Sequence, residues 1–292
     1  MHRFLFNYYF FSSRGYKDKA NTQMRHLILL TLLIFAAPLG WGSDSKAALA
    51  SEIIEISKLV DIYDYNNEIQ VVALQELWTE SGVNPYWVEI AENSLLTNLT
   101  GIDFSGEIAI ALSQELSVKE LEQVRKFFNS KTGLEITRWR TGEVTASEIA
   151  ERFARIAAMD QFEYKRGFYI RKIFRELDWV SSGMRQYLMS GYLLHYLQAL
   201  TNEVEPLTFP EYKIEFDKEA ASHGMAAAWY MLGVIAVEHF ETPEKNLKAY
   251  SKFLSKKPAK KFYDVINRFE VKRFRQALNT TFIDLERAVP NI

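Results

Sequence analysis

The stretch from Ser117 to Arg140, SVKELEQVRKFFNSKTGLEITRWR, constrains the fold more than any other part of the chain. Ser117 followed three residues on by Glu120 is a capping box, in which the hydroxyl and the carboxylate satisfy backbone N–H groups that a helix start leaves unpaired. Leu121, Val124 and Phe128 then recur at three- and four-residue spacing, with Phe127 at the edge of the stripe. Lys119, Glu122, Gln123, Arg125 and Lys126 fall mostly outside it. Asn129-Ser130-Lys131-Thr132-Gly133 breaks the pattern with turn residues. Thr132 and Glu135 are placed to cap a second helix carrying Leu134, Ile136 and Trp139. The stretch therefore predicts a helix, a tight turn and a helix.

The pattern recurs near the C-terminus. FFNSKTGLEIT from Phe127 aligns with FLSKKPAKKFY from Phe253, an offset of 126 residues, which carries Leu121 onto Leu247 and Val124 onto Tyr250. Gly133 becomes Ala259, and Thr132 becomes Pro258, a helix breaker at an interior position. Thr242-Pro243-Glu244 supplies this copy with its own start. Two readings stay open, duplication of one hairpin or the general likeness of amphipathic hairpins.

Glu120, Leu121, Phe127, Phe128, Ser130 and Gly133 spell E-L-x-x-x-x-x-F-[FY]-x-S-x-x-G. This motif resembles the core of a secreted bacterial family known as domain of unknown function 2059, over about twenty-five residues. The resemblance implies a helical, periplasmic envelope domain and carries over no activity, because the family has none assigned.

The rest of the chain reads as helix almost throughout, with little of the alternation that marks strands. The expected fold class is all-α, a multi-helix bundle with two related lobes at 43–168 and 169–292. Ser81-Gly82-Val83-Asn84-Pro85 reads as a turn, and a helix is expected to begin near Ser105-Gly106. Thr145 and Glu148 form a further capping box ahead of Ile149, Phe153, Ile156 and Met159. Helical patterns run from Phe162 to about Trp179 and from about Met184 to Leu200. The segment Glu203–Tyr212, with Pro206 and Pro210, reads as the best internal linker. Ala226–Val237 is almost wholly apolar and too short to span a bilayer, so it is expected to be the buried central helix of the second lobe.

The N-terminus carries an export pattern: basic Met24-Arg25-His26, apolar Leu27–Ala37, then Pro38-Leu39-Gly40-Trp41-Gly42. Cleavage is expected after Gly42, with Ala48-Leu49-Ala50 as a second option, and a retained signal anchor as the competing reading. Met24 is expected to be the true initiator, with residues 1–23 outside the translated chain; the alternative is a long cytoplasmic leader. The expected localisation is the periplasm. The absence of cysteine removes disulfide and thiolate chemistry.

Catalytic signatures are sparse. There is no H-E-x-x-H, P-loop, G-x-G-x-x-G or G-x-S-x-G motif. Asp64, Asn66 and Glu68 alternate as in a calcium loop, but Ile69 and Gln75 occupy the places that need glycine and glutamate. His223 and His239 lie sixteen residues apart, too far round one straight helix for a local metal pair. Glu219 and His223 share a face at four-residue spacing, which suits either an unmarked hydrolase dyad or ordinary surface pairing. The expected catalytic, cofactor and metal sets are empty. Tyr164, Phe168 and Tyr169 among basic residues fit amphipathic core helices better than nucleic-acid stacking, given a net charge of −2.

Charge is distributed unevenly. From Asp44 to Glu120 there are 14 acids and 3 bases, and from Thr242 to Arg275 there are 11 bases and 3 acids. Such asymmetry suits two segments that attract each other, or a basic face for an anionic partner. Lys256, Lys257, Lys260 and Lys261 are the candidate contacts to an anionic membrane surface. The leading expectation is a non-enzymatic envelope module that binds a partner protein or supports assembly, with no nucleic-acid partner. A hydrolase near Glu219 and His223, or a lipid or small-molecule carrier using the apolar second lobe, are the alternatives.

Overall fold

The structure, a computed structural model, describes residues 44–138, 164–219 and 241–289, with scattered positions between 221 and 239. The export pattern, the Thr145–Glu148 capping box, most of Ala226–Val237 and His223 lie outside the described residues. The described chain is an all-α multi-helix bundle. Its helices are α1 Asp44–Ile56, α2 Leu59–Glu80, α3 Pro85–Leu99, α4 Ser105–Glu115, α5 Val118–Phe128, α6 Lys131–Arg138, α7 Tyr164–Leu177, α8 Trp179–Thr201, α9 Phe209–Lys218, α10 Glu244–Leu254 and α11 Lys257–Ala288.

Local chemistry sets most boundaries. Gly82 takes a left-handed φ of 74° between α2 and α3, a region open to glycine at no steric cost. Asn84 then caps α3 by accepting the Tyr86 N–H at 3.0 Å, with Pro85 at the first helical position. The Ser117–Glu120 capping box forms at the start of α5 as expected. The second expected box does not form. Ser130, not Thr132, caps α6, its Oγ accepting the Gly133 N–H at 3.1 Å. Thr132 and Glu135 instead reach across the bundle to Asn246. Pro258 opens α11 rather than breaking it, since a proline in the first turn forfeits no intrahelical hydrogen bond. The two helical patterns expected between 162 and 200 meet at Asp178, which has φ 49° between α7 and α8, so the second helix starts at Trp179 rather than near Met184.

α11 is the spine. Its 32 residues span about 48 Å at 1.5 Å per residue. Phe262, Val265, Ile266 and Phe269 from its first half enter a core with Ile53, Leu112, Leu121, Val124, Phe128, Ile173, Leu247 and Tyr250. Ile235 and Ala236, the described and buried part of the apolar Ala226–Val237 run, join this core. Val271, Phe274 and Leu278 from the second half of α11 enter another core with Leu74, Trp78, Leu95, Leu193 and Leu197. Both cores draw on residues from each side of position 168.

The two hairpins face each other. α5 and α10 have the same bounds when offset by 126, and so do the first residues of α6 and α11. Phe127 and its equivalent Phe253 stack with ring centroids 3.8 Å apart and 3° between planes. Glu120 pairs with Lys261 at 2.8 Å. The equivalent of Glu120 is Asn246 and the equivalent of Lys261 is Glu135, and these two also bond, Asn246 Nδ2 donating to Glu135. Each position thus contacts the counterpart of its own partner, the reciprocity of an isologous interface, here within one chain.

Candidate functional site

Two of the four candidate lysines are paired with acids of other helices, Lys260 while remaining exposed and Lys261 half-buried. Lys260 pairs with Glu176 at 2.8 Å and Lys261 with Glu120 at 2.8 Å. Lys256 and Lys257 are exposed at the start of α11. Arg268 pairs with Glu115, so the basic C-terminal segment meets the acidic N-terminal one. Glu120 is held far below the usual carboxylate range, at about 2, by Lys261 first and then by the Ser117 backbone N–H.

Glu219 lies exposed at the C-terminal end of α9. His239 is buried, with Thr242 Oγ1 3.4 Å from its Nδ1 and its ring against Tyr250. Arg166 Nη1 donates to the His239 carbonyl at 3.0 Å. Among the described residues no three His, Asp or Glu side chains converge as a metal site would require.

α8 and α9 form an arm. Tyr187 meets Phe216, and Tyr192 meets both Phe209 and Tyr212, with centroids 5.2–5.9 Å apart. Gly191 leaves room for Tyr212, whose Oη would lie 2.4 Å from a Cβ placed there. The backbone of Leu207 in the connecting loop is held from both sides: its N–H donates to His195 Nε2 at 3.1 Å, and its carbonyl accepts from Tyr192 Oη at 3.2 Å. Burial lowers the His195 pKa, consistent with a neutral ring whose Nε2 accepts. The arm exposes Val204, Leu207, Phe209 and Ile214, at 58%, 38%, 38% and 61% exposure. Between Glu203 and Glu219 there are six acids and two lysines. Lys213 and Lys218 are both paired within α9, to Asp217 and Glu215. The arm therefore exposes apolar side chains among acids.

A second feature lies on α11. Arg273, Gln276, Ala277, Asn279 and Thr280, with Asn98 at the end of α3, line an open cleft of about 340 Å³. The Arg273 guanidinium carbon sits 4.0 Å from the centre of the Phe104 ring. Its Nε is buried without a hydrogen-bond partner among the described residues, and Nη1 donates to Gln276 Oε1 at 3.2 Å. Tyr63, whose Oη is also buried and unpartnered, is close enough to feel the charges of both Glu270 and Arg273. Burial pushes its pKa up to about 12. Asn67 opposes that shift but donates its amide to the Leu99 carbonyl.

Sequence reasoning passed over Arg273, yet a signal was present. It stands four residues from Phe269 and four from Ala277, on the stripe that α11 buries. A charged residue on an apolar stripe calls for a reason.

No family model matches the chain, and neither the curated proteins nor the solved structures include a match.

Proposed function

We propose that the chain is an exported periplasmic protein of the bacterial envelope that acts by binding, and that its α8–α9 arm docks a basic amphipathic helix of an envelope protein. The observation that carries this reading is the run of exposed Val204, Leu207, Phe209 and Ile214 set among exposed acids. An apolar strip within a negative field fits a partner with an apolar stripe and flanking lysine or arginine. Export rests on the basic-apolar-small pattern ending at Gly42. The motif at Glu120–Gly133 resembles a secreted family and agrees with that destination. No described helix is long and apolar enough to cross a membrane. The same reading takes the two hairpins as copies of one ancestor, supported by their shared bounds and reciprocal contacts.

The test has two arms. N-terminal sequencing of the stable product in cells is expected to begin at Ser43; Met1 or Met24 would refute export. Fluorescence anisotropy is then run with a labelled leucine–lysine amphipathic peptide and its leucine–glutamate counterpart. Saturable binding of the first alone is expected, weakened by salt and by Ile214→Asp, which alters an exposed side chain. Equal binding of both peptides, indifference to Ile214→Asp, or co-sedimentation with anionic phospholipid vesicles in place of peptide binding would overturn the docking reading.

A further inference from the structure

Arg273 sits where a charge is costly. It is half-buried on the stripe of α11 that packs against the bundle. A guanidinium carries five N–H donors, and a buried cation is ordinarily matched by a carboxylate. Among the described residues Arg273 has no acid within ion-pair distance, and its hydrogen bonding to other side chains is the one bond to Gln276. The Phe104 ring, 4.0 Å from the guanidinium carbon, offsets part of the desolvation, but a ring face does not satisfy N–H donors. The group is held against a ring at the wall of a cleft, with Nε buried and unpartnered among the described residues and its terminal nitrogens left to face the opening.

From this we infer that the Arg273 cleft binds the carboxylate of a small polar molecule. The cleft, about 340 Å³, lies at the small end of the range that ligand sites occupy, about 300–1,000 Å³. One fixed positive charge matches a monoanion, and the planar fork of arginine matches a planar carboxylate. The remaining walls carry the amides of Asn98, Gln276 and Asn279 and the hydroxyl of Thr280, with no second cation; Asn98 and Thr280 each donate to a backbone carbonyl, of Ser94 and Gln276, and keep their oxygens as acceptors. A phosphate dianion would gain less from such a surround. Amides and a hydroxyl suit an amide- or hydroxyl-bearing body attached to the carboxylate. The site is separate from the α8–α9 arm, so it stands or falls independently of the docking proposal.

The test uses the whole exported chain, with N-acetylglycine as probe and its neutral amide and inorganic phosphate as comparators. The readout is the ¹⁵N-correlated Arg Nε–H signal of Arg273, assigned by its loss in Arg273→Lys. N-acetylglycine is expected to shift that signal saturably in the millimolar range, and the neutral amide is expected to leave it in place. Arg273→Gln is expected to weaken binding at least about tenfold, measured by calorimetry alongside helical content by circular dichroism. Asn279→Ala changes an exposed helical position and is expected to weaken binding while leaving the fold intact. Should Arg273→Gln lose helicity, Arg273→Lys keeps the charge without the fork and is expected to bind N-acetylglycine more weakly. A shift that stays linear to the highest concentration, equal binding of the neutral amide or of phosphate, or undiminished binding by both Asn279→Ala and Arg273→Lys would overturn the inference.

Discussion

Replacing Gly133 with alanine tests the hairpin pairing at its tightest point. In an unobstructed helix the change stabilises by about 1 kcal/mol, because glycine loses more backbone freedom on folding. Here a Cβ would lie 2.2 Å from the Phe127 carbonyl oxygen, 2.6 Å from the Phe128 Cα and 2.9 Å from the Phe127 carbonyl carbon. All three are backbone atoms, so no rotamer change relieves the clash. The last turn of α5 would have to move by about 1 Å, taking Phe127 away from Phe253 and Phe128 away from Phe262. A radial gap of that size forfeits about a quarter to a half of each contact's attraction. Overpacking costs about 1–3 kcal/mol, and the rigid neighbours place this case at the upper end, for a net loss of about 2 kcal/mol. For a chain of this size that is a fall in Tm of about 4–8 °C. The equivalent position, Ala259, is fully buried in the first core. Ala259→Gly removes a buried methyl, about 0.8 kcal/mol, and adds the glycine penalty, about 1 kcal/mol. Both variants are thus expected to lose stability although they make opposite changes. Urea unfolding followed by circular dichroism, read as a change in midpoint at constant slope, measures it. A Gly133→Ala midpoint equal to or above wild type would refute the packing argument.

Glu120→Gln is expected to flatten the acid side of the stability profile. The folded Glu120 pKa of about 2 lies below its unfolded value, so its contribution is complete above about pH 4.3 and fades as pH falls towards 2, which urea midpoints across that window would show. The α8–α9 loop is expected to loosen below about pH 6.5, because His195 has a lowered folded pKa and a protonated ring cannot accept the Leu207 N–H. Tyr192 and Tyr212, packed near it, have pKa values raised by burial and stay neutral there. Exchange of the Leu207 amide, corrected for intrinsic rate, should therefore rise between pH 7 and 5 in wild type and stay flat in His195→Gln; a flat wild-type response would refute the latch.

What the sequence made legible was local. The Ser117–Glu120 box, the burial of Leu121, Val124 and Phe128, and the 126-residue correspondence could each be read within a few turns of helix, where spacing and caps decide the outcome. Misreadings came where a distant residue competed. Thr132 and Glu135 have the spacing of a cap, but Asn246 engages both side chains across the bundle, leaving the cap to Ser130. Lys260 and Lys261 read as part of one exposed basic cluster, and spacing could not show that Glu176 and Glu120 stand beside them, although Lys260 stays exposed. The linker between Glu203 and Tyr212 holds only as far as Thr208, where α9 begins with Pro210 in its first turn. The arm's aromatic ladder and the Arg273 cleft depend on contacts between helices, which periodicity does not encode.

The uneven charge of the chain has a structural consequence that separates neutralised cations from the exception. Glu115 with Arg268 and Glu120 with Lys261 join the acidic N-terminal segment to the basic C-terminal one. Exposed pairs of this kind contribute about 0–1 kcal/mol each, too little to hold the bundle together. The apolar surface of α11, entering both cores, supplies the cohesion. The pairs act on register, because a one-turn slide of α11 against α4 and α5 would move Lys261 and Arg268 away from their acids while still leaving apolar residues to pack. Arg273 continues the same series along α11, yet it contacts Phe104, Gln276 and neutral cleft walls, and Glu270 one turn earlier forms no ion pair with it. If register were the whole purpose of these cations, an acid opposite Arg273 would serve it as well. A guanidinium held by a ring at the edge of a cleft, with no described acid within ion-pair distance, is better suited to meeting an anion that arrives from outside.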